Sequence, residues 1–299
     1  MEYPKLNRED TGIPVARWSE SRPTGWYNNQ NGRLRTTTPN PKGYPNRSLQ
    51  TPEFIEDEKA RVYIEKIGPL IFSRLTQEIP SRLGRLKAYV ELIARDRFFS
   101  TECTLPGSYW VNMFHGLNPQ HLNYVHKITQ NGIKFIRVVD YQETNDGGVL
   151  RFVSDMDQIA GIESLKGRMR KDPLLRYLVG YVDLFRRKQF VSELILHGPF
   201  TFELRIPSPK QKYVSFIFTL QPLPDEVCKL YIDFYSNFGI PQAINWFFFH
   251  LVTPIVILED TFHLKELKKK GPEFFRYIRR PVPETHFLKL HQRFLELYG

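Results

Sequence analysis

Read for periodicity, the chain divides into an unpatterned start and a long patterned remainder. Residues 1–51 show no helical or strand period. Pro23, Pro39, Pro41 and Pro45 punctuate a stretch rich in Asn, Arg, Gly and Thr, which predicts an irregular N-terminal arm. Trp18, Trp26 and Tyr27 are its candidate docking side chains. Residues 52–299 read as one domain. Thr51-Pro52-Glu53 supplies a cap, a first-turn proline and an acid, and Ile67, Leu70, Ile71 and Leu75 continue at helical spacing. A helix is predicted there. A second covers residues 81–94, with Leu83, Leu86, Val90 and Ile93 on one face.

The middle is β-branched and aromatic. Residues 133–143, 149–155, 190–196, 201–206, 213–220 and 228–235 read as strands. Asn145-Asp146-Gly147-Gly148, His197-Gly198-Pro199 and Pro207-Ser208-Pro209-Lys210 separate them with turn chemistry, so the hairpins are antiparallel. Residues 158–188 read as two short basic helices. Residues 234–258 hold no Lys, Arg, Asp or Glu, a window long enough to span a bilayer. Asn237, Asn245, His250, Pro241 and Pro254 interrupt it, which favours a buried helix over shallow membrane contact. Two basic helices, over 258–270 and 283–298, close the chain. Helices, an antiparallel sheet and then long helices make an α+β fold with helices on one sheet face.

Composition narrows the function. With 42 Lys and Arg against 32 Asp and Glu, the net charge is +10. The surface suits an acidic redox protein, an anionic membrane or nucleic acid. No nucleic-acid reading motif accompanies it, so no nucleic-acid partner is expected. Cys103 and Cys228 are the only cysteines, too few for a disulfide scaffold. Met1-Glu2-Tyr3-Pro4-Lys5 lacks a signal-peptide core, which makes the cytoplasm the default compartment, with membrane association resting on the apolar window.

Chemistry concentrates between Trp110 and His126. His115, His121 and His126 fall within twelve residues of a chain with eight histidines. His121 and His126 are five apart, so on one straight helix they diverge; they converge only if the helix ends or bends between them. Non-haem iron(II) sites take two histidines and a carboxylate on one face of the metal. Glu259-Asp260, at the end of the apolar window, is the candidate carboxylate pair, because an acid there calls for a partner. His115 is read as a satisfied helix histidine or a group behind the ligands. His286 and His291 are read as exposed or paired with Glu284. Trp246-Phe247-Phe248-Phe249 reads as core.

The segment Trp110 to His126 resembles the iron-binding signature of Rieske-type non-haem iron oxygenases, which runs from an Asn- and aromatic-containing helix into Asp-x-x-His-x4-His, with His121-Leu122-Asn123-Tyr124-Val125-His126 as the closest local match. The resemblance covers residues 98–299 and extends to the branch of pheophorbide and chlorophyllide oxygenases and sterol desaturases. It implies a helix-grip (START-like) antiparallel sheet around a long helix, with extra N- and C-terminal helices. It implies His121, His126 and Asp260 as ligands of one mononuclear Fe(II), with Glu259 and His263 as close competitors of Asp260. It implies a large apolar ring substrate, tetrapyrrole or sterol-like, and a homo- or hetero-trimer.

Two departures stand out. A Rieske cluster needs Cys-x-His and Cys-x-x-His. Leu105 stands two residues after Cys103 and Tyr231 three after Cys228, so this chain holds no such cluster. Electrons would come from a Rieske-containing subunit or ferredoxin-like donor. Asn118 occupies the position of the family's bridging Asp, without its charge. The rival expectation is a non-catalytic partner or ligand-binding subunit that keeps the oxygenase fold.

Overall fold

The computed structural model describes residues 13–17, 26–28, 34–36, 63–74, 81–126, 133–145, 147–156, 162–173, 175–179, 189–208, 211–223, 227–270 and 285–298. The helix start at Thr51-Pro52-Glu53 lies outside them.

Six strands follow the predicted runs closely: β7 (Ile133–Thr144), β8 (Gly147–Met156), β9 (Gln189–Leu196), β10 (Thr201–Ser208), β11 (Lys212–Leu223) and β12 (Val227–Ser236). A strand the periodicity does not reveal, β6 (Arg97–Pro106), joins them. The seven form one antiparallel sheet in the order β6-β12-β11-β10-β9-β8-β7. β6 and β7 are therefore opposite edges, although only residues 107–132 separate them in the chain. Two short helices, α2 (Tyr109–Gly116) and α3 (His121–Tyr124), lie in that connection.

Both faces of the sheet are covered, not one. On the first, Phe152, Leu194, Phe202, Leu220, Leu230, Ile232 and Phe234 pack with Trp110, Met113 and Leu117 of α2. Phe249, Leu264 and Leu267 of α5 (Gln242–Lys270) and Leu290 and Phe294 of α6 (Thr285–Tyr298) complete this core. On the second face, Ile217, Tyr231 and Tyr235 meet Leu83, Leu86 and Val90 of α1 (Ser81–Leu92). Strands β11 and β12 explain this. Ile217 alternates with Phe216 and Phe218, and Tyr231 with Leu230 and Ile232, so each strand is apolar on both sides. Full burial of Met113, Leu264 or Phe294 is worth roughly 1.5–3 kcal/mol each.

The helix expected through Ile67, Leu70 and Ile71 is instead a hairpin, β4 (Tyr63–Ile67) and β5 (Leu70–Arg74). Gly68-Pro69 forms its turn, with Gly68 at φ +55°, a conformation that ends a helix and suits glycine. The N-terminal arm, read as irregular, contains β1 (Ile13–Arg17), which pairs with β5, and β2 (Trp26–Asn28), which pairs with β3 (Leu34–Thr36). The basic stretch supplies α4 (Ile162–Lys171) and a short 3-10 turn (Leu175–Leu178).

The apolar window is also corrected. Its first residues belong to β12, and the helix begins after Pro241. α5 lies along β6, but only 22% of its most apolar stretch is buried. Phe249 and Leu264 face the sheet; Trp246, Phe247, Leu251, Ile255, Leu258 and Phe262 face outward. Of the aromatic run read as core, only Phe249 is fully buried. His291 is likewise buried, 4.8 Å from the Phe114 ring, and not exposed.

Gly116, the last residue of α2, lies on the Phe202 ring, where a β carbon would collide with it. Gly116→Ala is expected to cost about 1–3 kcal/mol by urea denaturation, because the helix must lift from the sheet.

Candidate metal centre

Local hydrogen bonds set the connection between the two sheet edges. Ser108 caps α2 by accepting from the Val111 N–H. Asn112 Nδ2 reaches back to the carbonyls of Pro106, Gly107 and Ser108 at 3.1, 2.9 and 3.0 Å. The Tyr109 hydroxyl donates to the Pro199 carbonyl. The chain then turns at Asn118-Pro119. Asn118 Oδ1 accepts the Gln120 N–H at 3.0 Å, an Asx turn, and Gln120 Nε2 donates to the Ile136 carbonyl of β7 at 3.0 Å.

α3 then lasts only four residues. It ends before His126, so the His121 and His126 rings come to 5.2 Å between centroids. This meets the geometric condition that a five-residue spacing imposes. His121 Nδ1 donates to the Asn118 carbonyl at 2.5 Å, which leaves Nε2 as the lone-pair nitrogen. His126 Nδ1 stands 3.3 Å from Glu259 Oε2 on α5.

Asp260 arrives from the same helix. His115 Nε2 donates to its Oδ1 at 3.0 Å, and His126 Nε2 stands 3.4 Å from that oxygen. One ligand atom each from His115, His121 and Asp260 lies within 4.8 Å of the others. His263, one helical turn beyond Asp260, brings its ring to 5.3 Å from that of His115. Four histidines and two carboxylates thus share one locus between α2, α3 and α5.

Charge explains the protonation states. Burial alone would raise the Asp260 pKa, but the His115 hydrogen bond and the electrostatic pull of the His115, His126 and His121 imidazoles outweigh it and bring the carboxyl to about 2. Burial, then the neighbouring His115 and His126, push His121 well below its ordinary 6.5, against the pull of Asp260 and the Asn118 carbonyl. His121 is neutral near pH 7, the form a metal takes.

Of the residues singled out in the sequence, His121, His126 and Asp260 meet here. Asn118 stands beside them and holds His121 through its backbone carbonyl while its side chain shapes the turn. Sequence reasoning underweighted His115 and His263. His263 was legible, because residues three apart on a helix share a face with Asp260. His115 was legible only as histidine density, since nothing local says that its helix points at α5.

The cysteines take no part. Burial, then the Asp260 charge, pushes the Cys103 thiol up to about 12. Burial raises Cys228 as well. Both are inert thiols paired opposite Leu230 and Leu105 in the β6–β12 ladder.

No protein-family model matches the sequence, and no curated protein sequence matches it. Solved structures do. The chain is similar to dicamba monooxygenase bound to 3,6-dichlorosalicylic acid, with TM-score 0.59 and 9% identity, over 98% of this chain and 96% of that one. The dicamba-bound form gives TM-score 0.56 at the same identity and coverage. A quaternary ammonium Rieske monooxygenase is matched at TM-score 0.42 and 9% identity, over 83% of this chain and 62% of that one. The likeness to dicamba monooxygenase shows that the two share a fold over nearly the whole of both chains.

Two predictions concern the metal-free chain. The folded-state pKa of His121 and of His291, the latter held near 3 by burial, lies below 6.5. Each such group costs stability as pH falls below 6.5, because only the unfolded chain takes the proton, with a slope of about 1.4 kcal/mol per pH unit. Asp260, lowered from 3.8, stabilises above that value and loses its contribution as pH falls towards about 2. The urea midpoint is therefore expected to drop from pH 6.5 downward, and His291→Phe to flatten the drop. A decline beginning only below pH 4 would contradict these assignments. Separately, Asn118→Ala is expected to cost about 1 kcal/mol in the same assay through the lost Gln120 hydrogen bond, and Asn118→Asp, which keeps the acceptor, much less.

Proposed function

We propose that the chain is the catalytic subunit of a split non-haem iron oxygenase. His121, His126 and Asp260 would hold one iron(II). The observation that carries this reading is the matched treatment of the two imidazoles. Each has Nδ1 directed at an acceptor, the Asn118 carbonyl or Glu259, and each is left with Nε2 to bind. This is how proteins orient ligand histidines. Asp260 Oδ1 at 3.4 Å from His126 Nε2 supports it, because two ligand atoms at right angles about a metal some 2.1 Å away stand about 3 Å apart. The donor set fits: two imidazoles and one carboxylate suit iron(II) with sites left open. Bound there, iron(II) would supply oxygen activation.

The protein's own groups have separate tasks. His115 donates to Asp260 and fixes the carboxylate; Glu259 fixes His126; the Asn118 turn fixes His121. Aromatic packing from Phe98, Phe99, Phe234 and Phe249 gives the sheet side an apolar character suited to a large ring substrate, tetrapyrrole or sterol-like, in a helix-grip arrangement. Electrons would come from a separate Rieske or ferredoxin-type protein, drawn to the basic surface, since Cys103 and Cys228 cannot build a cluster. Assembly as a trimer belongs to the same reading.

One observation favours a different ligand set. His115, His121 and Asp260 each bring one ligand atom within 4.8 Å of the others, a set that would put His115 in the place of His126. Iron analysis separates the two. Reconstitution with ferrous iron in the absence of oxygen is expected to load one iron per chain and to fail in His121→Ala and His126→Ala. His115→Ala should keep the iron with affinity lowered about 10–100-fold. The reverse result for His115 and His126 would exchange their roles. Turnover of an apolar ring substrate should then require oxygen, iron and a supplied reduced donor. A wild-type chain that loads no iron would sink the enzyme and leave the non-catalytic subunit.

A further inference from the structure

α5 has two faces of different purpose. Its inner face carries Phe249, Thr253, Glu259 and Leu264 against the sheet and the histidines. Its outer face presents Trp246, Phe247, Leu251, Ile255, Leu258 and Phe262, which are 48%, 61%, 54%, 40%, 52% and 62% exposed. From Phe247 the spacing runs in steps of four, four, three and four, one continuous stripe along the helix. No charged side chain interrupts it between Gln242 and Lys265, because Glu259 is buried and Asp260 turns into the site. Exposed apolar residues scattered singly need no explanation, but five in one stripe with Trp246 beside its end do.

The dimensions and the ends of the stripe choose the occupant. Phe247 to Phe262 spans about 22 Å at about 1.5 Å per residue, and a helix face is about 10 Å wide. That gives on the order of 200 Å², well below the roughly 800 Å² each partner buries in a stable protein interface. It is the footprint of a helix lying in a bilayer surface. Trp246, stacked on His250 at 4.7 Å, stands at one end, the side chain that settles at headgroup level. Lys265, Lys268, Lys269 and Lys270 gather at the other, with Glu266 the one acid among them. The chain as a whole carries +10.

We infer that the outer face of α5 is a membrane-docking surface, which lays the helix in the headgroup region of an anionic bilayer. The helix does not cross the bilayer, because its inner face is committed to β6 and to the histidine cluster. Adsorption is independent of the iron reading. If that reading also holds, an apolar substrate dissolved in the bilayer is one helix thickness from Asp260.

Flotation of the full chain with vesicles of phosphatidylcholine and a minority of phosphatidylserine, at physiological salt, tests the inference. Wild type is expected to float. Leu251→Ser/Phe262→Ser, both solvent-facing and checked for an unchanged circular dichroism spectrum, is expected to lose about tenfold or more in vesicle partition. His121→Ala should float as wild type does, so loss of the metal site and loss of docking are told apart. No flotation, or flotation that the double substitution leaves intact, would overturn the inference. So would a wild-type oligomer that the double substitution dissociates without any vesicle binding, which would assign the stripe to a second copy. As an independent measurement, brominated lipid should quench tryptophan fluorescence in wild type more than in Trp246→Phe. Equal quenching would also overturn it.

Discussion

Asp260 is a carboxylate brought into the protein interior on a helix with no other charge before Glu259 for seventeen residues. Left alone there, it would take up a proton, because burial favours its neutral form. It stays ionised because three imidazoles stand around it, with His115 donating directly. The same arrangement keeps His121 neutral, since burial and then the neighbouring His115 and His126 disfavour a proton on it. Every other feature of the site follows from the need to bring this one anion and these rings together across 145 residues of chain.

The sheet makes that meeting unavoidable. β6 and β7 are its two edges, so the short connection between them must cross the face on which the large core lies. α5 follows β12 and packs on its neighbour β6, which places the end of the helix over the same crossing. Asn112, Gln120 and Asn118 remove slack from the crossing by tying it to its own carbonyls and to β7. The site is thus rigid where the histidines arise and held by apolar packing where the carboxylates arise. Precision in the ligand set depends on this division, because geometry at a metal tolerates only small errors.

Legibility varied with how local the signal was. Six strands were readable because long β-branched runs ended in Gly, Pro and Asn turns. β6 was not, because Arg97 to Pro106 mixes exposed Arg97, Glu102 and Thr104 with buried Phe99 and Leu105 on no steady alternation. Ile67, Leu70 and Ile71 fit a helix by spacing alone; Gly68-Pro69 was the breaker that should have outweighed them. The apolar window misled in another way. Its composition is that of a core helix, yet Trp246, Phe247, Leu251, Ile255 and Leu258 face outward, and no period in the window separates the buried face from the exposed one.

By itself the sequence determined the α+β class, most of the large sheet, the histidine and carboxylate residues, and that Cys103 and Cys228 lack the neighbouring histidines of a Rieske motif. Those follow from local periods, turn chemistry and a count of cysteines, none of which needs a partner distant in sequence. Only the tertiary structure decided that α3 stops in time for His121 and His126 to meet, and that His115 and His263 join Asp260. It also decided that α5 shows an apolar stripe to the outside. Those depend on strand order and on how helices settle against the sheet, and neighbours made that way leave no periodic trace along the chain.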